Sequence, residues 1–416
     1  MQTNTPDLIL LKSLPVVKYK HNYLVFSPFN KKIAEVSEQE LNSKELIKEL
    51  EKQKFFGKPR TAKFSPKITQ LSFGLTNDCN LLCKYCYGFY GGPCKKDYLS
   101  KETIINIFKK TIKSYTREVR VTFIGGEPTL SMDVIKTSTE YLKKLNLKKI
   151  RLHISTNGLV SKKDLDYLIQ SKFSFNVSHD GLPDIQDFQR PTKTGGSSVG
   201  VVENTIKELI KQNAKFKVRV TVTSHNVKLL DRITEHLSKL GVKYIHLDKV
   251  SYCGRAPDQS MLEPDPKEYV YNLFKAMNIA EKEGSTIINS AYSNLFIPST
   301  FYCTHIAGEA KLIVGPRGII TNCYEHLEDD RGPFYLGRIK DNKIELNKTK
   351  RDEIIKKYNV EKIKECRVCP IKYICGAGCP QHNYLKTKNP FKPAEDECWM
   401  EKEIIRRLII RMYERG

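Results

Sequence analysis

From Lys67 onwards, the sequence alternates between extended and helical patterns. Six segments rich in β-branched and aromatic residues are separated by five amphipathic segments, and an N-capping Ser100 opens the first predicted helix. The extended segments are KITQLSFGLT, EVRVTFIGG, KIRLHISTN, SFNVSHDG, KVRVTVTSHN and YIHLDKVS. Strands that alternate with helices pair in parallel through right-handed crossovers. The pattern therefore predicts an α/β fold, either a barrel or an open sheet.

The unusual short sequences of this region all lie at the ends of the extended segments. They are TNDCNLLCKYCYG, GGEPTL, STNG, SHDG and TSHN. The carboxyl ends of parallel strands meet at one edge of a sheet, and the chemistry of such folds lies at that edge. We therefore expect these sequences to form a single site.

The first of these sequences contains three cysteines, Cys79, Cys83 and Cys86. Structural zinc sites and most iron–sulfur clusters have four protein ligands, so a three-thiolate set leaves one coordination position open. An open position is typical of a catalytic centre. The alternatives are a zinc knuckle with a distant fourth ligand, and cysteines that are simply buried as small apolar residues.

Length and composition indicate the chemical role of the twelve cysteines. A chain of 416 residues is long enough for two or three domains. It has no run of 18 apolar residues, and the start MQTNTPDLIL lacks the layout of a secretion signal. These features favour a soluble, cytoplasmic protein with no membrane segment, in which cysteines are metal ligands or catalytic groups rather than disulfides.

The net charge of +23 would attract polyanions, and nucleic acid is the first candidate. However, the lysines occur as short pairs spread through the predicted helices, without a nucleic-acid-binding motif. We favour a solvated, lysine-rich surface; an acidic peptide partner would also suit it. A metal-stapled nucleic-acid-binding protein remains an alternative.

The spacing CxxxCxxC after the first strand, followed by GGEP after the second, resembles that of the radical S-adenosylmethionine (radical SAM) enzymes over residues 67–260. The resemblance implies a partial (β/α)6 TIM-type barrel. It also implies that Cys79, Cys83 and Cys86 hold a [4Fe–4S] cluster whose open iron binds SAM. Reductive cleavage of SAM would then give methionine and a 5′-deoxyadenosyl radical.

The same resemblance assigns the remaining SAM contacts. Gly125 and Gly126 suit a close backbone approach, and carbonyl groups there or the Glu127 carboxylate would accept from the SAM ammonium group. In the peptide-modifying branch, the segment SHDGLPDIQDFQR implies that Ser178 contacts the ribose and that Arg190 pairs with the SAM carboxylate. From the residues alone, a capping serine and a surface arginine are the alternatives.

Seven further cysteines resemble the SPASM extension of radical SAM enzymes, which holds two auxiliary [4Fe–4S] clusters. The resemblance implies that the first auxiliary cluster is bound by Cys303, Cys323 and Cys379, and the second by Cys366, Cys369, Cys375 and Cys398. The chain would then carry three clusters; a zinc ribbon is the alternative. His305, Glu309, Cys253 or a substrate group could complete the first auxiliary cluster, whereas Cys94 has no assigned role.

These patterns divide the chain into four parts. We predict that residues 1–66 form a small α+β unit that could contact a leader peptide, and that residues 67–260 form the barrel. Residues 261–302 are predicted to form a helical bridge, and residues 303–416 are predicted to form a SPASM domain with a C-terminal helix.

The function implied is that of an oxidoreductase acting on a ribosomally made precursor peptide (a RiPP maturase). It would receive electrons from reduced flavodoxin or ferredoxin and form a thioether or C–C cross-link. One alternative is a sulfatase-maturing enzyme that makes formylglycine, although Tyr324 follows Cys323 where that group has an aspartate. A small-molecule radical SAM dehydrogenase is another.

Overall fold

The computed structural model describes residues 11, 13–41, 43–62, 65, 67–93, 95–308 and 310–416. They form two compact units. The described residues of Met1–Phe64, Asn289–Glu309 and Asp352–Gly416 form one unit, and those of Ser65–Ile288 and Ala310–Arg351 form the other, which we call the barrel unit.

Strands are numbered along the chain. They are β1 Val16–Tyr19, β2 Asn22–Phe26, β3 Ile33–Val36, β4 Gln70–Gly74, β5 Glu118–Ile124, β6 Lys149–Thr156, β7 Ser174–Ser178, β8 Lys215–Val222, β9 Tyr244–Lys249, β10 Thr286–Ile288, β11 Lys311–Val314, β12 Ile319–Thr321, β13 Tyr335–Lys340 and β14 Lys343–Leu346. The α-helices are Glu38–Leu41, Lys44–Lys52, Lys101–Thr111, Met132–Lys143, Lys162–Gln170, Pro183–Gln189, Val199–Lys211, Leu230–Lys239, Pro266–Lys282, Ser290–Asn294, Lys348–Lys357, Lys364–Arg367, Lys372–Cys375, Pro380–Thr387 and Glu395–Tyr413.

The sheet of the barrel unit has the strand order β10-β9-β8-β7-β6-β5-β4-β11-β12-β13-β14. Strands β4 to β9 pair in parallel in chain order, with a helix in each connection. The predicted α/β fold with a partial parallel barrel is confirmed. Ser100 also caps its helix as predicted, because its side chain accepts from the Thr103 N–H.

Both edges of this sheet extend beyond the six predicted strands. β10 adds in parallel to β9, and β11 adds in parallel to β4 and leads into the antiparallel strands β12 to β14. Ala310–Arg351 thus groups with the barrel, although the sequence placed it with the C-terminal domain. Pairing of Leu312 and Ile313 with β4 buries both side chains, which a local pattern cannot reveal.

The two faces of the barrel sheet differ in chemistry. Val119, Val121 and Phe123 are buried, and on the same side Phe73 packs edge-on against Phe108 of the helix Lys101–Thr111. The residues of β5 that lie between Val119, Val121 and Phe123 point away from the helices and are polar. The helices therefore cover an apolar face and leave a polar one.

In the other unit, β1 to β3 form an antiparallel sheet in the order β1-β2-β3 over a core that includes Leu14, Val25 and Phe55. Two helices follow these strands, Glu38–Leu41 and Lys44–Lys52. The second begins separately because the Ser43 side chain accepts from the Leu46 N–H.

Candidate active site

The loop that follows β4 holds the first three cysteines. Cys79 is buried, and Cys83 and Cys86 pack in the same cluster as Cys79, Leu81 and Tyr90. No disulfide joins any cysteine that the structure describes. The three thiols that the sequence predicted as one ligand set are therefore neighbours in the fold.

A segment after β9 fixes the backbone of this cysteine loop. The Arg255 guanidinium donates to the carbonyl oxygens of Cys83 at 2.7 Å and Tyr90 at 2.6 Å. A Cβ on Gly254, where φ is +60°, would lie 2.3 Å from the Cys86 carbonyl oxygen, so only glycine allows this approach. Sequence reasoning missed Arg255 because it lies 172 residues from Cys83.

The predicted close approach at Gly125 and Gly126 is made to the protein's own backbone. A Cβ on Gly126 would lie 2.1 Å from the Asp78 carbonyl oxygen, and one on Gly125 would lie 2.5 Å from that of Thr76. The Gly126 N–H donates to the Thr76 carbonyl oxygen at 2.7 Å. These glycines therefore press the end of β5 against the start of the cysteine loop.

The carboxylate of Glu127 is fully buried and already engaged. Its Oε1 accepts from the N–H and hydroxyl of Thr129 and from the Thr156 hydroxyl, and its Oε2 accepts from the Asn157 N–H at 2.7 Å. Burial raises the pKa of Glu127, and these hydrogen bonds oppose the rise. The side chain thus joins the ends of β5 and β6, which leaves backbone carbonyls as the better acceptors for a ligand ammonium group.

Asn157 is a site residue that the motif analysis did not assign. Its side-chain amide donates to Cys79 Sγ at 3.6 Å and to Asn80 Oδ1 at 2.6 Å. The sequence contained a signal, since Asn157 belongs to the STNG segment that was expected at this edge of the sheet.

Arg190 is buried, which excludes the surface alternative. Its Nε donates to Asp180 Oδ2 at 3.0 Å, and its guanidinium lies over the Tyr85 ring, 5.1 Å from the centroid. One terminal nitrogen, Nη1, lies 4.0 Å from Cys83 Sγ, and the other, Nη2, lies 3.4 Å from the Thr221 hydroxyl. The fold therefore places a fixed positive charge directly beside the cysteine cluster.

Asp180, the aspartate of SHDG, orients this arginine and was not predicted as a site residue. Its Oδ2 also accepts from the Tyr85 hydroxyl at 2.5 Å and from Gln189 Nε2 at 2.8 Å, and its Oδ1 accepts from the Thr221 N–H. A fully buried carboxylate is expected to have partners of this kind, because an unpaired one would be costly.

Ser178 ends β7 on the polar face of the sheet, beside Arg219 of β8. It is half-buried, and its hydroxyl makes no hydrogen bond to the residues described in the structure. This placement leaves the hydroxyl available to a ligand.

The environment of the three thiols disfavours their ionisation. Burial raises the pKa of Cys83 to about 11, although Arg190 acts in the opposite direction, and burial also raises the pKa of Cys79 and Cys86. A metal that binds here must displace these protons, so metal binding should be coupled to proton release.

A second set of four thiols lies within the other unit. Burial raises the pKa of Cys366 to about 12, and the neighbouring Cys369 and Cys398 add to the rise. Burial also raises the pKa of Cys375, and Glu401 and the other three thiols add to that rise. The four predicted ligands of the second auxiliary cluster are thus close enough to affect one another's charge.

Tyr358 joins the loops of two further cysteines. Its buried hydroxyl accepts from the Cys303 N–H at 3.1 Å and donates to the Gly378 carbonyl oxygen at 3.0 Å, next to Cys379. His305 Nδ1 lies 3.6 Å from Cys303 Sγ. Cys323 belongs to the barrel unit, and Glu309 and Cys94 lie outside the described residues.

Cys253 lies in the barrel unit beside the turn that follows Cys323. Its thiol donates to Glu325 Oε2 at 3.6 Å, and the Ser251 hydroxyl donates to Glu325 Oε1 at 2.8 Å. Cys253 therefore has a polar neighbour and is not merely packed as an apolar residue.

Comparison with known proteins agrees with this geometry. Residues 74–225 match the family model of the radical SAM superfamily. A cysteine-type anaerobic sulfatase-maturating enzyme of Clostridium perfringens is 22% identical over 76% of this chain and 89% of its own length.

Two solved structures share the fold. One, described as native anSMEcpe with bound AdoMet, is 20% identical, has a TM-score of 0.68 and covers 83% of this chain and 98% of its own. The other, Streptococcus suis SuiB bound to precursor peptide SuiA, is 13% identical and has a TM-score of 0.57. It covers 92% of this chain and 98% of its own.

Among the helices that the structure describes, none has the length and apolarity required to span a bilayer.

The family match covers the cysteine loop, the two glycines, Glu127, Ser178 and Arg190. Residues 74–225 of the chain are therefore similar to the radical SAM superfamily.

Proposed function

We propose that this protein is a peptide maturase that cleaves SAM reductively and removes a hydrogen atom from a residue of a ribosomally made precursor peptide. The product radical is then closed into a thioether or a C–C cross-link. The observation that carries this proposal is the cluster of three cysteines, one buried and two half-buried, with the Arg190 guanidinium beside it. Three thiols leave one metal position open, and the arginine supplies a partner for a carboxylate next to it.

The donor set fits an iron–sulfur cluster. Cys79, Cys83 and Cys86 are thiols of one loop whose backbone is fixed by Arg255, and soft thiolate ligands favour iron–sulfur clusters over hard cations. When bound and reduced, a [4Fe–4S] cluster supplies the electron that splits SAM into methionine and the 5′-deoxyadenosyl radical. The loop's own role is to hold three ligands and to leave the fourth position clear.

Arg190 is the proposed partner of the SAM carboxylate. Asp180 holds its Nε, and the two terminal nitrogens, which face Cys83 and Thr221, remain able to donate to a ligand. Because arginine stays charged and donates in a fixed plane, this arrangement orients a carboxylate near the open metal position.

The other predicted contacts divide between binding and support. We assign the Ser178 hydroxyl to the ribose of SAM, and a backbone carbonyl near Gly125 and Gly126 to its ammonium group. The Glu127 carboxylate, which accepts four hydrogen bonds from Thr129, Thr156 and Asn157, positions this segment and does not contact SAM directly.

The C-terminal cysteines support an oxidative outcome. Cys366, Cys369, Cys375 and Cys398 would hold one auxiliary [4Fe–4S] cluster, and Cys303, Cys323 and Cys379 would contribute to another. Such clusters can accept the electron that remains after bond formation. Reduced flavodoxin or ferredoxin is the proposed donor for SAM cleavage, and the cytoplasm the proposed compartment.

A second candidate is formylglycine formation on a sulfatase. It is favoured by the sulfatase-maturating relative and by the fold shared with anSMEcpe. Against it, Tyr324 follows Cys323, and its hydroxyl lies 2.9 Å from the Ser72 hydroxyl. No carboxylate therefore occupies that position.

The test uses the anaerobically reconstituted protein with SAM, dithionite and the peptide encoded beside its gene. We expect 5′-deoxyadenosine to form and the peptide to lose two hydrogens; a thioether product would also make its cysteine resistant to alkylation, whereas a C–C cross-link would leave the cysteine reactive. A product that reacts with a hydrazine probe would identify an aldehyde and favour the sulfatase-maturing alternative. Failure to form 5′-deoxyadenosine under these conditions would contradict the proposal.

A further inference from the structure

The polar face of the barrel sheet carries more positive than negative charge. Side chains on this face, opposite the helices, include Arg120, His153, Asn176, Lys217, Arg219 and Asp248. Asn176 and Lys217 are register partners on adjacent strands, so they are direct neighbours in the middle of the sheet.

Only some of these cations have an acidic partner. Arg219 forms an ion pair with Asp248 at 3.0 Å, and Asp248 also lies 3.1 Å from His246 Nε2. Burial opposes ionisation of Asp248, but Arg219 and His246 outweigh it and hold the pKa of this carboxyl below its usual range. In contrast, neither Lys217 nor Arg120 forms an ion pair with any residue that the structure describes.

Lys217 is half-buried, and its surroundings disfavour its charge. Burial and the neighbouring Arg219 lower the pKa of Lys217, while Asp248 acts in the opposite direction. His153 adds no positive charge at pH 7, because burial, Lys217 and Arg120 lower its pKa to about 4 and keep it neutral. A half-buried ammonium group that forms no ion pair is costly unless a ligand pairs with it.

Asn176 adds an unused acceptor at the same place. Its amide nitrogen donates to Ser155 Oγ at 3.4 Å, but its Oδ1 is buried and has no hydrogen-bond partner among the described residues. Buried polar atoms usually have partners, so an unpaired one marks a place where a ligand group would fit.

We propose that Lys217 binds the carboxylate of an acidic residue in the substrate peptide, and that Asn176 Oδ1 accepts a backbone N–H of the same peptide. This inference rests on the proposed maturase function and adds the chemistry by which the substrate is selected. Lys217 therefore acts as a specificity-determining residue.

The register of the strands also gives the distance between Lys217 and the surroundings of Arg190, where SAM is proposed to bind. Lys217 precedes Thr221, which contacts Arg190, by four residues on β8. At about 3.3 Å per residue, the two positions are separated by about 13 Å, which an extended peptide spans with about four residues. The acidic residue is thus expected about four positions from the residue that is modified.

The test uses the reconstituted protein with SAM bound and an equimolar pool of short, C-terminally amidated peptides. Each contains one cysteine and carries Asp, Glu, Asn or Gln about four positions away; a second pool has Asn and a free C-terminal carboxylate. Retained peptides are identified by mass spectrometry. We expect an enrichment of Asp and Glu over Asn and Gln of about tenfold, as for a hydrogen-bonded charge pair.

Lys217→Met should abolish this enrichment, and Lys217→Arg should keep most of it. The matched control is Lys215→Met, which removes the same charge from an exposed position on the same strand and should keep the enrichment. Iron content checks that each variant folds. The inference would be overturned if the wild type retained no peptide, or retained peptides without enriching the acidic ones. It would also be overturned if Lys217→Met enriched acidic peptides as strongly as the wild type.

Selection of the second pool alone would assign Lys217 to a C-terminal carboxylate and overturn its assignment to an acidic side chain. Binding is measured without reduction, so its outcome is separate from that of SAM cleavage. Acid-independent binding with normal cleavage would remove only this inference, whereas absent cleavage would remove the proposed function.

Discussion

The cysteine loop of the barrel and the four-thiol group at the C-terminus are held in different ways. Around Cys79, Cys83 and Cys86, other residues fix the backbone: Arg255 donates to it, and Gly126 packs directly against it. In the C-terminal group, Cys366 and Cys375 lie in the short helices Lys364–Arg367 and Lys372–Cys375, and only Cys398 lies in a long helix, Glu395–Tyr413. Helices of one turn have little stability alone. We infer that the barrel preorganises its site, whereas the C-terminal group depends on its metal to fold.

The largest expected effect follows from removing the barrel thiols. The triple variant Cys79→Ala, Cys83→Ala, Cys86→Ala should lose 5′-deoxyadenosine formation completely, because no SAM-binding cluster remains. Its iron content should fall from about twelve to about eight atoms per chain, as for three cubanes reduced to two. The barrel should remain folded by circular dichroism. Continued 5′-deoxyadenosine formation would refute the assignment of these thiols.

The C-terminal group should respond differently to the same kind of change. Cys369→Ala with Cys375→Ala should remove about four iron atoms and expose residues 364–398 to limited proteolysis, because the metal no longer joins the short helices. The barrel should stay protected in the same digest. The triple barrel variant serves as the control and should keep residues 364–398 protected. Equal protection in both variants would erase the contrast between the two regions.

Preorganisation of the barrel site can be tested at Gly126. In Gly126→Ala, the new methyl group would meet the Asp78 carbonyl oxygen at 2.1 Å, so the loop must shift. We expect the free energy of unfolding to fall by about 1–3 kcal/mol and the SAM-binding cluster to be lost. Gly200→Ala is the control: this residue lies in the helix Val199–Lys211 with no atom within 4 Å of the new Cβ, and the change should stabilise slightly. Unchanged iron content in Gly126→Ala would argue against preorganisation.

The smallest effect is expected at Arg190. Arg190→Lys keeps the charge near Asp180 but removes the two terminal nitrogens of the guanidinium, so SAM binding should weaken by about 1–3 kcal/mol without loss of iron. Arg232→Lys, at an exposed position on the helix Leu230–Lys239, should leave the SAM affinity as it is. Equal affinities for SAM in the wild type and Arg190→Lys, measured by calorimetry, would remove Arg190 from the proposed site.

Much of this contrast could be predicted from local sequence. The alternating pattern predicted β4 to β9, the short spacing of Cys79, Cys83 and Cys86 predicted the first thiol group, and the resemblance to the SPASM extension implied the second. β10 and β11 were missed because they have three and four residues and gain their order from pairing with strands far away in sequence.

Long-range hydrogen bonds explain what the sequence could not reveal at the site. Asp180 and Tyr85 are 95 residues apart, and their contact decides how Arg190 is oriented. The Glu127 carboxylate was a candidate contact for SAM. Its donors come from its own turn and from the end of β6, so only the fold shows that both of its oxygens are used.

The central claim is that the three barrel thiols hold a cluster with an open position for SAM. Electron paramagnetic resonance of the reduced protein, with and without SAM, tests it directly in the wild type and in the triple cysteine variant. We predict that SAM changes the spectrum of the wild type and leaves that of the variant unchanged. A wild-type spectrum that does not respond to saturating SAM would contradict the claim.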